Sequence, residues 1–143
     1  MANLKKILEN QMELKIITPF RQRVTRKTMK DKFYTININQ YRNWHHSVES
    51  KVKRQFTIDL EGQLKGVVFD GVVDITYQVF KPTKRRLDKM NVVSITSKYT
   101  LDAITHYECW EDDNDEVIRF ETILPTQLDR ENPRVEVTIK TLS

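Results

Sequence analysis

The sequence of 143 residues is poor in glycine, proline and cysteine, with 3, 4 and 1 of them respectively. So few glycine and proline residues argue against a linker-rich, disordered or collagen-like chain. The single cysteine, Cys109, excludes an internal disulfide and indicates a reducing compartment. Three glycines are too few for a phosphate-cradling loop, no Cys or His spacing suits zinc, and no nucleophile-elbow motif is present.

Long apolar runs are also missing. No stretch approaches the roughly 20 residues that a membrane-spanning helix requires, and no signal peptide is visible at the N-terminus. We therefore expect a cytoplasmic protein with no membrane partner. The length and the hydrophobic content of 38% suit one domain with a sizeable core, so residues 1–143 are interpreted as a single domain, with a basic arm within residues 1–35.

Charge is distributed unevenly along the chain. Residues 1–56 hold 13 Lys+Arg and 4 Asp+Glu, a net +9, whereas residues 57–143 hold 11 and 16, a net −5. A basic half beside an acidic half indicates a polyanion held by one and a metal ion held by the other. The alternative is a basic arm that binds anions without specificity.

Periodicity predicts the elements of a mixed sheet. Strands are predicted at residues 12–18, 67–80, 116–124 and 134–141, where residues 67–80 form either one long strand with a bulge or a hairpin. The basic run at residues 21–32 is interpreted as a loop or a loose hairpin arm. Helices are predicted at residues 3–10, from an N-cap at Asn39 to about Leu60 with a C-cap near Gly62, and at residues 89–107. This order predicts an α+β domain, a mixed β-sheet with two main helices packed on it.

The stretch from Lys84 to Asp115 contains most of the candidate catalytic and metal-binding residues. At about 100° per residue, the helix places Asn91, Lys98 and Asp102 on one polar edge, close to Asp88, and an apolar edge opposite. Basic residues precede this helix and carboxylates follow it. Carboxylates beside a basic patch suit a hard divalent cation that acts on a polyanion. The alternative interpretation is a helix that merely solvates its polar face.

These elements resemble the RusA family of Holliday junction resolvases, in the form found in phages of Gram-positive bacteria. The family pattern is a basic run, an Asp, an Asn, a helix with a Lys four residues before an Asp-Ala-hydrophobic triplet, and an Asp-Asp pair. Here the corresponding residues are Arg85-Arg86, Asp88, Asn91, Lys98, Asp102-Ala103-Ile104 and Asp112-Asp113. The segment from Asn39 to Arg42 matches the Asn-x-Tyr-Arg segment near the start of such chains, and the resemblance spans roughly residues 37–118.

The resemblance implies a RusA-like fold and a Mg²⁺-dependent endonuclease, with Mn²⁺ as an alternative metal. Its substrate would be branched DNA, cut at four-way junctions in recombination and repair to leave 5′-phosphate and 3′-hydroxyl ends, with no small-molecule cofactor. A homodimer is expected, because two symmetric nicks need two sites related by a twofold axis. The protein would be encoded by a phage or prophage and would act in the bacterial host.

The implied roles fall on named residues. The catalytic residues would be Asp88, Asp113 and Lys98; the metal ligands Asp88, Asp112 and Asp113; the supporting residues Asn91 and Asp102. Basic and aromatic side chains attract phosphates and stack on bases. The residues expected to contact DNA are Arg21, Arg23, Arg26, Lys27, Tyr41, Arg42, Arg85 and Arg86. Tyr41 and Trp44 have an alternative role as anchors of their helix to the core, and His45-His46 are expected to face DNA or solvent.

One departure from the pattern concerns the residue directly before Asn91. Better-known resolvases have a second Asp there, and this chain has Met90. We expect Asp112 to replace the missing carboxylate and Asp102 to be an outer-shell partner of Lys98. Two other functions stay open: a catalytically weak protein that binds DNA junctions, and a phage regulatory module that binds another protein through its acidic cluster.

Overall fold

The computed structural model describes residues 12–142, and the helix predicted at residues 3–10 lies outside them. In chain order, the elements are β1 (Glu13–Pro19), β2 (Arg21–Val24), β3 (Lys32–Thr35), α1 (Ile38–Asn43), α2 (His46–Asp59), α3 (Glu61–Leu64), β4 (Val73–Lys81), α4 (Lys89–His106), β5 (Ile118–Ile123), β6 (Gln127–Leu128) and β7 (Arg134–Thr141). The domain is α+β, as predicted, and two long helices, α2 and α4, dominate its helical part.

The main sheet is mixed. Its strand order is β1-β7-β4-β5, and the short β6 also pairs with β4. Strand β7 lies antiparallel to both β1 and β4, whereas β4 and β5 are parallel. Along β7, Val135, Val137 and Ile139 are fully buried and alternate with more accessible residues. The sequence shows the same period of two. Strands β1, β5 and β7 confirm the strands predicted at residues 12–18, 116–124 and 134–141.

Helix α4 connects the two parallel strands. It runs for 18 residues and begins one residue after Asp88, so the helix predicted at residues 89–107 is confirmed. Its apolar edge is buried as expected, including Val93, Leu101 and Ile104. Because β4 and β5 are parallel, α4 must run back along the sheet from the end of β4 to the start of β5. The two ends of α4 therefore lie at opposite ends of these strands.

The N-terminal helical region differs from the prediction. The helix expected from Asn39 to Leu60 is two helices with a break at Trp44 and His45. Asn37, rather than Asn39, is the N-cap of α1, and its side chain accepts the backbone N–H of Gln40 at 2.8 Å. The break coincides with a second N-cap. The ring of His45 accepts the backbone N–H of Ser47, and α2 begins at the next residue, His46.

Two glycine-based predictions are corrected. Gly62 lies inside the short helix α3 and is not a C-cap; the positive φ of 85° occurs at Gly66. The strand predicted at residues 67–80 begins only at Val73, because Gly71 turns the chain with a φ of 83°. Neither a hairpin nor one long strand is formed. The pairing register with β5 does shift between Val73 and Asp74. The basic run at residues 21–32 belongs to the β2–β3 hairpin, which is one of its two predicted forms.

The described part of the chain, residues 12–142, contains no helix that is long and apolar enough to cross a membrane.

Candidate functional site

Asp88 lies at the start of α4, next to the basic loop that follows β4. One carboxylate oxygen of Asp88 accepts the backbone N–H of Met90 at 3.0 Å, and the Asp88 carbonyl accepts the N–H of Asn91. Asp88 is thus the N-cap of α4, and it remains exposed. The loop before it exposes Arg85 and Arg86. A carboxylate fixed at a helix terminus can hold a cation, and the neighbouring cationic side chains can attract a phosphate to it.

Asp112 and Asp113 lie in the turn between α4 and β5. The Asp112 carboxylate accepts the backbone N–H of Asp113 at 2.9 Å, and both residues are exposed. The pKa of Asp113 is raised because neighbouring atoms partly desolvate its carboxyl group, and because the carboxylates of Asp112 and Asp102 disfavour its charge. This geometry brings like charges together, which a divalent cation would relieve.

The structure separates Asp88 from the Asp112-Asp113 pair within one chain. Helix α4, with its 18 residues, is about 27 Å long, and Asp88 and the pair flank its two ends. Among residues 12–142, no three side chains of the His, Cys, Asp and Glu types are grouped to hold a metal ion. The metal ligands implied by the resemblance therefore lie in two separate places within a single chain.

Lys98 lies midway along α4, about 15 Å from Asp88 along the helix axis. Its ammonium group donates to the Tyr41 hydroxyl at 3.0 Å. This hydrogen bond, together with the nearby charges of Glu49 and Asp102, raises the pKa of Lys98 and keeps it protonated. Lys98 is closer in sequence to Asp102 than to Asp88, so its charge acts nearer the Asp113 end of α4.

Asp102 has a direct ion-pair partner that the sequence did not indicate. Its carboxylate contacts the ammonium group of Lys53 in α2 at 2.7 Å. One turn earlier in α2, Glu49 accepts the hydroxyl of Tyr99 at 3.2 Å. The i,i+4 spacing of Glu49 and Lys53 in a predicted helix could have placed both on one face, but not against α4. Asp102 influences Lys98 through the field of its charge.

Tyr41 and Trp44 pack into the protein interior from α1 and its C-terminus. Tyr41 meets the rings of Trp44 and Tyr99 edge-on, with centroids 6.1 and 6.5 Å apart, and Trp44 meets Tyr34 at 5.6 Å. Both residues are half-buried against the core. This packing favours the anchoring role over base stacking, although the Tyr41 hydroxyl reaches Lys98 at the surface. His45 and His46 are exposed and stacked on each other.

The base of the basic hairpin lies close to the start of the loop that precedes Asp88. Arg21, at its base, lines one cleft together with Pro82 in the loop after β4 and with Arg130. Further out, the Arg26 side chain donates to the Lys30 carbonyl at 2.8 Å and orders the hairpin tip. Arg23, Arg26 and Lys27 are exposed there. The basic residues predicted to contact DNA thus extend from the hairpin toward the loop before Asp88, whereas Arg42 lies exposed in the last turn of α1.

Removing charge from the hairpin tip is expected to weaken DNA binding and its salt dependence. In Arg26→Ala/Lys27→Ala, the slope of log K against log [salt] should become shallower by roughly 0.9 for each phosphate that these side chains neutralise. Lys65→Ala/Lys140→Ala is a charge-matched control on exposed residues elsewhere, and its slope should not change. Fluorescence anisotropy with a labelled duplex measures both. Equal slopes in the two variants would show that the hairpin does not touch DNA.

The raised pKa of Asp113 predicts a pH effect that depends on Asp112. Because only the ionised carboxyl binds a cation, cation affinity should start to fall at a higher pH than for an ordinary aspartate as the pH is lowered. In Asp112→Asn, the removal of the neighbouring charge should move the Asp113 midpoint down toward its usual range. The carboxyl ¹³C shift of Asp113, followed by NMR against pH, measures this midpoint. An unchanged midpoint would show that the two carboxyl groups do not interact.

Comparison with protein-family models and with curated proteins finds no match for this chain. The resemblance to RusA resolvases therefore depends on the motif residues in the sequence.

Proposed function

We propose that this chain is a divalent-cation-dependent endonuclease of the RusA type, which nicks four-way DNA junctions. The observation that carries the proposal is the placement of the acidic residues of the motif. Asp88 caps α4 beside the basic loop, and Asp112 and Asp113 follow the other end of α4 as a close carboxylate pair. All three are exposed, so a phosphate could reach them. Along the chain, Asp88, Asp112 and Asp113 follow the order of the RusA-like motif, which supports the proposal.

The donor atoms suit Mg²⁺. They are carboxylate oxygens on exposed residues, which leaves coordination positions for water and for a substrate phosphate. Once bound, the ion would lower the pKa of a water molecule and stabilise the charge that develops on the phosphate oxygens. Mn²⁺ takes the same ligands and would serve as a substitute.

The other residues of the motif have roles that their contacts support. The hydrogen bond to Tyr41 positions the Lys98 ammonium group, which would provide a fixed positive charge to a phosphate lying along α4. Arg85 and Arg86 would bind the phosphate backbone of the DNA strand that reaches Asp88. Asn91, in the first turn of α4, would support Asp88, since its backbone N–H already binds the Asp88 carbonyl.

The separation of Asp88 from the Asp112-Asp113 pair adds a condition to this function. Asp113 lies near Asp102, which is about 21 Å of helix rise beyond Asp88, so no single ion can bind both Asp88 and Asp113. A twofold dimer can bring Asp88 of one chain to Asp113 of its partner and form two equivalent sites. Two such sites suit the two symmetric nicks that resolve a junction. On this proposal, the homodimer is required for metal binding itself.

A second candidate function is a protein that binds junctions without cutting them. Two observations favour it: Met90 is 57% exposed where better-known resolvases have a second carboxylate, and the described residues of a single chain do not assemble the ligands. A third candidate, a protein-binding module, would use the exposed acidic turn at residues 111–116 as its interface.

One assay separates the three candidates. A labelled four-way junction and a linear duplex of the same length are incubated with the protein in Mg²⁺ or in chelator. Nicking of the junction alone, and only with Mg²⁺, is the expected result. Tight junction binding without nicking in Mg²⁺ or Mn²⁺ would favour the binding protein. No preference for the junction at moderate salt would contradict both DNA-based proposals and favour the third.

A further inference from the structure

A cleft lies at the end of the main sheet where β1 and β4 end and β7 begins. It has a volume of about 300 Å³, and its lining includes Pro19, Pro82 and Pro133, which stand at or next to those three strand ends. Two aromatic residues complete the apolar lining: Phe20, which is buried, and Phe33, which belongs to β3 of the basic hairpin and is 61% exposed. The cleft thus presents flat apolar surfaces to solvent.

Two guanidinium groups border this cleft and are free to bind an anion. They belong to Arg21 and Arg130, which are both exposed. Among residues 12–142, neither guanidinium group has a hydrogen-bond or ion-pair partner. Asp129, directly before Arg130 in the chain, is instead bound by Arg134 at 2.8 Å. A ligand with a flat apolar part between anionic groups would match this lining.

The pairing of β2 with β3 places Phe33 among arginine side chains. In the antiparallel register, Phe33 is opposite Arg23, and Thr35 is opposite Arg21. Directly opposite residues share a face of the hairpin, and diagonal neighbours are about 7–8 Å apart, so Phe33 has an arginine on either side. The alternate residues of β2, such as Gln22, are buried. The face of the hairpin that carries Phe33 is therefore the one that meets solvent and the cleft.

We infer that this cleft binds an unpaired nucleotide of DNA, whose base stacks on the ring of Phe33 while Arg21 and Arg130 bind the flanking phosphates. Aromatic rings bind unpaired bases of any sequence in this way, and cationic side chains beside them follow the backbone. The bases of an intact duplex do not fit, because their faces are already stacked on each other. The cleft would therefore distinguish DNA with unpaired bases from a linear duplex.

The surroundings of the cleft favour a DNA strand over an acidic peptide as its occupant. Exposed cations continue beyond the cleft in two directions: along the hairpin, at Arg26 and Lys27, and along the loop after β4, at Lys84 and Arg85. A short peptide held in the cleft would use only the two arginines at its border. A DNA strand that passes through the cleft carries a phosphate at every nucleotide and can reach both groups of cations.

The inference rests on the proposed function for the source of the nucleotide, because base stacking is interrupted where strands exchange in a four-way junction. Pro82 precedes Asp88 by six residues, so their Cα atoms lie within about 20 Å of each other. The Lys81 ammonium group binds the Arg85 carbonyl at 3.1 Å and holds the loop between them. A nucleotide in the cleft would thus place a phosphate farther along the same strand at Asp88. Phe33 would be a positioning residue that contributes to structure selectivity.

Oligonucleotides with and without bases test the stacking. The probes are a labelled oligothymidylate and an abasic oligonucleotide of the same length and charge, both in chelator so that no nicking occurs. The wild-type chain should bind the oligothymidylate about tenfold more tightly than the abasic probe, which is the scale of one stacked base. In Phe33→Ala, the affinity for oligothymidylate should fall to about that for the abasic probe, whose own affinity should not change. Fluorescence anisotropy measures both.

Phe120→Ala is the matched control. Phe120 is 60% exposed on β5 and also lies beside an arginine, with the Arg119 guanidinium 4.8 Å from the centre of its ring. Its removal should leave both affinities unchanged. Phe33→Trp should retain the preference for bases, and the fluorescence of the new indole should be quenched by the oligothymidylate alone.

The two arginines are expected to act on the phosphates and not on the base. Arg21→Ala/Arg130→Ala should weaken binding of both probes and lower the slope of log K against log [salt] by about 0.7 for each single-strand phosphate released. Phe33→Ala should leave this slope unchanged, because it removes no charge.

Three results would overturn the inference. The first is equal affinity of the wild-type chain for the two probes, and the second is an equal loss of affinity in Phe33→Ala and Phe120→Ala. The third is binding of an acidic peptide that Phe33→Ala abolishes while oligothymidylate binding is indifferent to this substitution, which would assign the cleft to a protein partner.

The failure of this inference and that of the proposed function are distinguishable. Base-dependent binding that Phe33→Ala removes, in a protein that nicks no junction in Mg²⁺ or Mn²⁺, would leave the cleft standing and remove the endonuclease. Metal-dependent nicking by a protein that binds both probes equally would leave the endonuclease standing and remove the nucleotide site. If both stand, Phe33→Ala should reduce the preference for a junction over a linear duplex by about tenfold.

Discussion

Asp88→Asn and Asp113→Asn are each expected to lower the rate of junction nicking by about 10³-fold, or about 4 kcal/mol of transition-state stabilisation. Each substitution replaces a carboxylate ligand by a neutral amide and weakens metal binding. Binding of the junction should persist, because the basic hairpin and loop are untouched and a negative charge that repels phosphate is removed. Single-turnover nicking rates and anisotropy on the same junction measure the two effects.

Asp88→Asn is a sharper test than Asp88→Ala because of the N-cap. The amide oxygen of Asn can still accept the Met90 N–H, so the helix end should remain intact. Asp88→Ala should remove the cap as well and destabilise the fold by about 1 kcal/mol. A thermal melt distinguishes the two variants. If Asp113→Asn retained full activity at ordinary Mg²⁺ concentrations, the assignment of the acidic turn as part of the metal site would be wrong.

Asp112→Asn is expected to be as damaging as Asp88→Asn, by about 10³-fold. Its carboxylate contacts Asp113 and would supply the charge that Met90 does not. Asp102→Asn is the matched control, because it removes the same charge from the same end of α4. Its carboxylate pairs with Lys53 at a half-exposed position, where such a pair contributes about 0.2–1 kcal/mol to stability, so nicking should fall only mildly.

These variants are compared by their nicking rate as a function of Mg²⁺ concentration. Substitution of a metal ligand should raise the Mg²⁺ concentration that gives half of the maximal rate. Substitution of a purely structural residue should lower the stability of the fold instead. The reciprocal change, Met90→Asp, adds an exposed carboxylate in the first turn of α4, where the helix dipole favours it. It should lower the Mg²⁺ requirement. An Asp112→Asn protein with wild-type Mg²⁺ dependence would remove Asp112 from the site.

The elements with strong periodicity could be predicted from the sequence. Buried and accessible residues alternate over the whole length of β7, and buried apolar residues recur every three to four positions along α4. In both elements, the sequence pattern agrees with the burial in the fold. The break between α1 and α2 was missed because it depends on a histidine side chain that caps a helix, an uncommon choice. The start of β4 was missed because residues 67–72 are largely apolar but belong to a turn at Gly71 rather than to the sheet.

The candidate site could be predicted only residue by residue. Each motif position was readable in the sequence, but the relative placement of Asp88 and Asp113 depends on the crossover between parallel strands, which puts them at opposite ends of α4. The expectation that Asp112 replaces the carboxylate missing at Met90 required the turn after α4 to fold back toward Asp88. The parallel pairing of β5 with β4 prevents this, since β5 must begin beside the start of β4. Likewise, the Lys53 partner of Asp102 required the packing of α2 against α4.

The central claim is that Asp88 of one chain and Asp113 of its partner form one metal site. It is tested most directly by mixing two inactive variants, Asp88→Asn and Asp113→Asn, under conditions that exchange subunits. About half of the dimers would be mixed, and each would hold one site with both carboxylates intact, so about one quarter of the wild-type sites should return. A control mixture of wild-type chain with Asp88→Asn/Asp113→Asn has no intact site in its mixed dimers.

The measurement is the rate of Mg²⁺-dependent nicking of a labelled four-way junction by the mixture, relative to each variant alone. The expected result is recovery of nicking to about one quarter of the wild-type rate. Nicking should occur on one strand per binding event, because only one site of each mixed dimer is complete. A mixture that stays as inactive as its components, while binding the junction as a mixed dimer, would contradict the shared site.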